Sequence, residues 1–107
     1  MTITWKTLGQ AVLTAGNTTV YQPVVGASAS ISAAQLWNPT GGNVTVSIYL
    51  FKAGGVVGNG TKIDEIVVPS GASKTIFGLI NQKVEPLGSI VAVGNGVTMT
   101  ISGSESV

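Results

Sequence analysis

Residues 43–51 read NVTVSIYLF. Val44, Val46, Ile48 and Leu50 fall on one parity; Asn43, Thr45, Ser47, Tyr49 and Phe51 fall on the other. A period of two with β-branched residues describes a strand that buries one face. Residues 97–103, VTMTISG, repeat the pattern with Val97, Met99 and Ile101 inward and Thr98, Thr100 and Ser102 outward. These two stretches set the fold class as all-β.

Working outward, shorter runs of the same kind occupy residues 2–6, 10–14, 18–22, 29–37, 62–68, 73–80 and 89–94. Turn formers punctuate them: Asn38-Pro39-Thr40-Gly41-Gly42, Pro69-Ser70-Gly71, Pro86-Leu87-Gly88 and Asn95-Gly96. Asn95-Gly96 between two strands predicts a type I′ hairpin turn. Residues 27–36, ASASISAAQL, contain the alanines of a helix but no i, i+3, i+4 apolar stripe, so they too read as strand. The expected architecture is a single β-sandwich of about eight short antiparallel strands, jelly-roll or immunoglobulin-like. It fills residues 1–107 as one domain, with an N-terminal arm at 1–8 and a short C-terminal tail at 104–107. Strand order is not written in the alternation, so both topologies stay open.

Only 8% of the residues are charged, with five lysines, no arginine and four acids. A typical soluble domain carries about 25%. The surface must therefore be made of Ser, Thr, Asn, Gln and Gly, with little charge repulsion to oppose association. No basic patch for nucleic acid is expected, and no apolar run is long enough for a membrane span. The opening MTITWKTLGQ has no long apolar run after a basic start, so no signal peptide is expected. With no cysteine there is no disulfide framework.

Residues 55–62, GVVGNGTK, come close to the phosphate-binding motif G-x-x-x-x-G-K-[ST], but Thr61 precedes Lys62. That motif needs a helix after it to meet the phosphates, whereas residues 63–68 are the strand-like IDEIVV. The stretch is read as a Gly-rich connection. Val56 and Val57 at its tip either fold back over the sandwich or face a neighbouring subunit.

Catalytic chemistry is poorly supplied. Without histidine or cysteine the usual nucleophile–base pairs are excluded. Asp64 and Glu65 are adjacent in a strand and point to opposite faces. No catalytic residue, metal site or cofactor is expected, and the chain is read as a non-enzyme. The sequons at Asn17, Asn43 and Asn59 are read as by-products of a Thr- and Asn-rich composition. The aromatic residues offer more. Trp37, beside the Asn38-Pro39 turn, is either core edge or a glycan platform. Trp5 packs on its own domain or inserts into a neighbour. Tyr49 and Phe51 make their strand apolar on both faces, which is either covered or offered to a partner.

The motifs W-K-x-L-G-Q at residues 5–10, T-V-Y-x-P at 19–23, the strand from Ile31 to Asn38 and V-T-V-S-I-Y-L at 44–50 together resemble small β-sandwich virion proteins of tailed bacteriophages. The resemblance spans roughly the first half of the chain; the second half matches in style. It implies a non-enzymatic virion structural protein, first of all a capsid decoration (cement) protein that binds the assembled capsid and stabilises it. A neck, tail or head-fibre accessory is the alternative within that class, and a glycan-binding module for host attachment around Trp37 is the alternative outside it. The implied partners are the major capsid protein or other virion proteins, with self-association as a homo-oligomer, a trimer among the options, and no nucleic acid or membrane. The implied location is the virion, assembled in the bacterial host cytoplasm. The candidate contact residues are Trp5, Tyr49, Phe51, Val56 and Val57.

Overall fold

The structure is a computed structural model that describes residues 2–107. Met1, the first residue of the expected arm, lies outside the described residues. Nine strands are present among them: β1 (Ile3–Val12), β2 (Thr18–Tyr21), β3 (Ser28–Trp37), β4 (Val44–Phe51), β5 (Lys62–Val68), β6 (Ser73–Thr75), β7 (Lys83–Val84), β8 (Ser89–Val93) and β9 (Thr98–Ser106).

The pairing is that of an antiparallel ribbon folded in half and rolled up. β1 pairs with β9, β2 with β8, β3 with β6 and β7, and β4 with β5. Rolling then lays β9 on β3 and β8 on β4. One sheet has the order β1-β9-β3-β6 with β7 beside β3; the other has β2-β8-β4-β5. This is the strand order of a jelly roll, and it decides between the two expected topologies.

The two deciding stretches fold as read. Val97, Met99 and Ile101 are fully buried, as are Val46 and Ile48. Val44 and Leu50, nearer the ends of β4, are half-buried. With Ile31, Leu36, Val68, Ile76, Leu79, Val84 and Ile90 they form one core between the sheets. Fully burying each such side chain contributes roughly 1.5–3 kcal/mol. β9 lies between β1 and β3, and Gly103 is what lets it: a Cβ there would stand 2.0 Å from the Ser30 carbonyl oxygen.

Three expectations need correction. Asn95-Gly96 is not a hairpin turn, because β8 and β9 belong to different sheets. Gly96 has φ +89° while Asn95 is not in the left-handed region, so the type I′ geometry is absent. The turn closes with Val97 N–H donating to the Gly94 carbonyl (3.1 Å) and carries the chain across the sandwich. Residues 73–80 are not one strand. After β6 the chain leaves the sheet in successive tight turns, and buried Ile76 and Leu79 lie three apart, not two. Residues 3–8 form the first half of β1, and β9 runs on to Ser106 where a tail was expected. Backbone hydrogen bonds between Thr2 and Val107 (3.0 and 2.9 Å) continue that pairing.

Asn38 is fully buried where β3 ends. Its Nδ2 donates to the carbonyls of Gly42 and Val68, each at 2.8 Å. Its Oδ1 accepts from the Thr40 backbone N–H at 2.9 Å and the Thr40 hydroxyl at 2.6 Å. One amide thus fastens the β3–β4 turn to the end of β5.

Candidate functional site

In an antiparallel roll every second connection lies at the same end. Strands of ten residues run about 33 Å, so the 45 Å axis of the molecule lies along them and its ends measure 26 × 18 Å. One end carries the β2–β3 loop (residues 22–27), the β4–β5 loop (52–61), the β7–β8 loop (85–88) and the paired residues Thr2 and Val107. The other carries the connections at 13–17, 38–43, 69–72 and 94–97.

The two ends differ in chemistry. Ile3, Val24, Val25, Val56, Leu87 and Val107 are at the first end, between 44% and 77% exposed. They are six of the eleven exposed large apolar side chains among the described residues. In the four connections at the opposite end, Leu13 and Val97 are buried and the exposed residues are Gly, Asn, Ser, Thr, Pro and Ala; the exposed apolar residues there, Val12 and Trp37, are the last residues of β1 and β3 and belong to the sheet face. The apolar end is built from ordered loops. Leu87 N–H donates to the Pro23 carbonyl (3.3 Å), and Gln22 Nε2 donates to the Leu87 carbonyl (3.4 Å). In the 52–61 loop, the Thr61 hydroxyl donates to the Val56 carbonyl (2.8 Å) and accepts from Gly58 N–H (3.1 Å). The stretch that imitates a phosphate loop is therefore a hairpin connection tied by Thr61, and the strand β5 comes directly after it.

The residues singled out in the sequence fall in four places. Val56 is 72% exposed at the apolar end, with Val57 half-buried beside it. Trp5 is 72% exposed on the outer face of the β1-β9-β3 sheet. Tyr49 is half-buried on the outer face of the other sheet, in a row with Val91 and Lys62. Lys62 Nζ lies 5.9 Å from the Tyr49 ring centre and 3.0 Å from Glu65, which also accepts from the Ser47 hydroxyl at 3.2 Å. That hydrogen bond from Lys62 is the main cause holding the Glu65 carboxyl below its usual range. Phe51 is half-buried, close against Gly55. It lines a cleft of about 440 Å³ with Leu50, Lys52, Gly55, Thr61, Lys83 and Glu85. Trp37, 46% exposed, shares the outer face of Trp5.

Sequence reading missed Val24, Val25 and Leu87. The available signal was positional: the connections at 22–27, 52–61 and 85–88 carry large exposed aliphatic residues, and those at 13–17, 38–43, 69–72 and 94–97 carry none.

The acids lie apart in function. Asp64 turns inward and accepts from the Glu65 and Gly78 backbone N–H groups at 2.9 and 3.3 Å, while Glu65 faces solvent. Glu105 accepts from the Tyr21 hydroxyl and pairs with Lys6 at 2.9 Å, linking the two sheets. The hydrogen bond from Tyr21, then that from Lys6, lowers the Glu105 carboxyl below its ordinary value. Burial, and then Glu105, raises the Tyr21 phenol. Among the described residues no cluster of three or more acids, histidines or cysteines is placed to hold a metal ion.

No family model matches the chain, and no curated protein is similar to it. It is similar to a solved chain of the Bacillus endospore appendages, which form a novel family of disulfide-linked pili. The identity is 20%, the TM-score is 0.50, and the match covers 97% of this chain and 85% of that one. A likeness at that identity is a likeness of fold.

Proposed function

We propose that this chain is a non-enzymatic structural subunit that docks by its apolar end onto an ordered protein assembly. The observation that carries this is the difference between the loops at the two ends: four exposed aliphatic side chains (Val24, Val25, Val56 and Leu87) lie on hydrogen-bonded loops at one, joined there by Ile3 and Val107, and the turns at the other are Gly- and Asn-rich with no large exposed aliphatic residue. Exposed apolar clusters rimmed by polar residues mark protein contacts. The virion resemblance of the first half makes the assembled phage capsid the first partner, with the protein acting as a decoration subunit. The appendage likeness supports a fold suited to repetitive assembly, but this chain has no cysteine for a disulfide link. The absence of histidine and cysteine and the separation of the acids support a non-catalytic role.

An end of 26 × 18 Å is smaller than the ~800 Å² that each partner gives to a standard interface. One copy would bind weakly, and several joined copies would bind by avidity. We therefore include homo-oligomerisation in the proposal, a trimer being the first stoichiometry to test by sedimentation.

The test is co-sedimentation with capsids that lack the protein. Saturable binding at a fixed ratio to the capsid protein is expected. The double variant Val25→Asp, Val56→Asp should lose it while Val67→Asp, on the β5 edge, keeps it. Capsids that bind none of the protein, or bind the double variant as well as the parent, would rule the proposal out.

A further inference from the structure

The outer face of the β1-β9-β3 sheet has a chemistry that docking by the apolar end does not use. Directly paired residues point the same way, so the register writes the face out in rows. Trp5, Ser104, Ser30 and Lys83 form one row. Gln10, Thr100, Gln35 and Thr75 form another, and Val12, Thr98, Trp37 and Ser73 a third. Between the first two, Thr7 stands opposite Ser102. Lys83, at the margin, is the one charged side chain in these rows.

We propose that this face binds a neutral polysaccharide, with Trp5 and Trp37 as stacking platforms at its two corners. The two tryptophans lie on β1 and β3, either side of β9. Their partners on β9, Ser104 and Thr98, are six residues apart, roughly 20 Å along the strand. A line between the indoles crosses Ser102 and Thr100, with Gln10 and Gln35 flanking Thr100. Gln10 Nε2 donates to the Thr100 hydroxyl at 3.0 Å, which leaves the Gln10 carbonyl oxygen free to accept from a ligand. A sugar chain presents alternating C–H faces and hydroxyls. The exposed indoles suit the first, and a field of hydroxyls and amides suits the second. A nucleic acid would also stack on the rings, but it needs a basic track for its phosphates, and this face has one lysine. The ligand class is thus fixed by the neutrality of the face as much as by its rings.

The experiment is affinity electrophoresis of the full chain through gels containing hydroxyethylcellulose, soluble starch or mannan, with pull-down on insoluble cellulose and chitin. Alginate serves as the anionic control. Retardation or retention by at least one neutral polysaccharide is expected, with a change in tryptophan emission on titration with the matching oligosaccharide. Trp5→Ala and Trp37→Ala should each weaken binding about tenfold, and the double variant should abolish it. The melting temperature of Trp5→Ala should stay unchanged, because that residue is 72% exposed, and that of Trp37→Ala should fall by no more than a few degrees while the variant stays folded. Val25→Asp with Val56→Asp should leave sugar binding intact, which separates this result from docking by the apolar end. Failure of the whole panel to bind, or retention of the double tryptophan variant, would overturn the proposal. So would a shift in the protein's own sedimentation on removing the rings, which would make the face a contact between copies.

Discussion

At the scale of single residues, polar side chains fasten the sandwich at both ends. Asn38 uses its whole amide in a buried site, and the sequence showed only an Asn-Pro turn. At the other end, Tyr21 on β2 and Lys6 on β1 converge on Glu105. The lowered Glu105 pKa has a definite sign. A carboxyl with a depressed folded pKa stabilises the fold above its unfolded value, about 4.3, and that contribution is lost as pH falls through the folded value. Urea unfolding of Tyr21→Phe should show a loss of about 1 kcal/mol at neutral pH. The gap to the parent should narrow as pH is lowered from about 5 to 3. A gap that stays constant with pH would mean that the phenol contributes packing alone.

At the scale of elements, β9 holds one sheet together by pairing with β1 and β3 along its length. Its alternation was plain in the sequence, as was that of β4. What the alternation hid was the need for a bare backbone at Gly103, whose added Cβ would meet the Ser30 carbonyl. Gly103→Ala should destabilise by ~3 kcal/mol in chemical denaturation, as overpacking without room to relax. Gly42→Ala, at a position with open space and no positive φ, should be neutral or slightly stabilising. Equal effects at the two sites would show that β9 can shift on β3. The segment after β6 failed the period-two reading for a related reason. Backbone hydrogen bonds from Ile76 to the Ala34 carbonyl and from Asn81 to the Ile31 carbonyl tie both its ends to β3. Ile76 is buried at the first tie, and the chain between the ties arches and buries Leu79.

At the scale of the whole molecule, the surface is nearly uncharged and its two ends are unlike. A net charge of +1 gives little long-range steering or repulsion. Capsid docking through aliphatic side chains should therefore change little when salt is raised. The Debye length falls from about 30 Å at 0.01 M to about 3 Å at 1 M, and an apolar contact does not respond to that change. Binding that collapses in high salt would instead place the contact on the lysines, away from the apolar end.

The sequence by itself determined the all-β class, the parity of the principal strands and the absence of histidine and cysteine chemistry. These are local properties, fixed by residue type and a period of two. Only the tertiary structure decided the partners of each strand, the sheet-crossing turn at Asn95-Gly96 and the company each exposed residue keeps. Ile3, Val24, Val56, Leu87 and Val107 are scattered along the chain, and antiparallel rolling brings them to one end. Trp5 and Trp37 are thirty-two positions apart in sequence, yet pairing with the same strand, β9, puts both on one face. Long-range backbone pairing sets these neighbourhoods, and no local pattern records it.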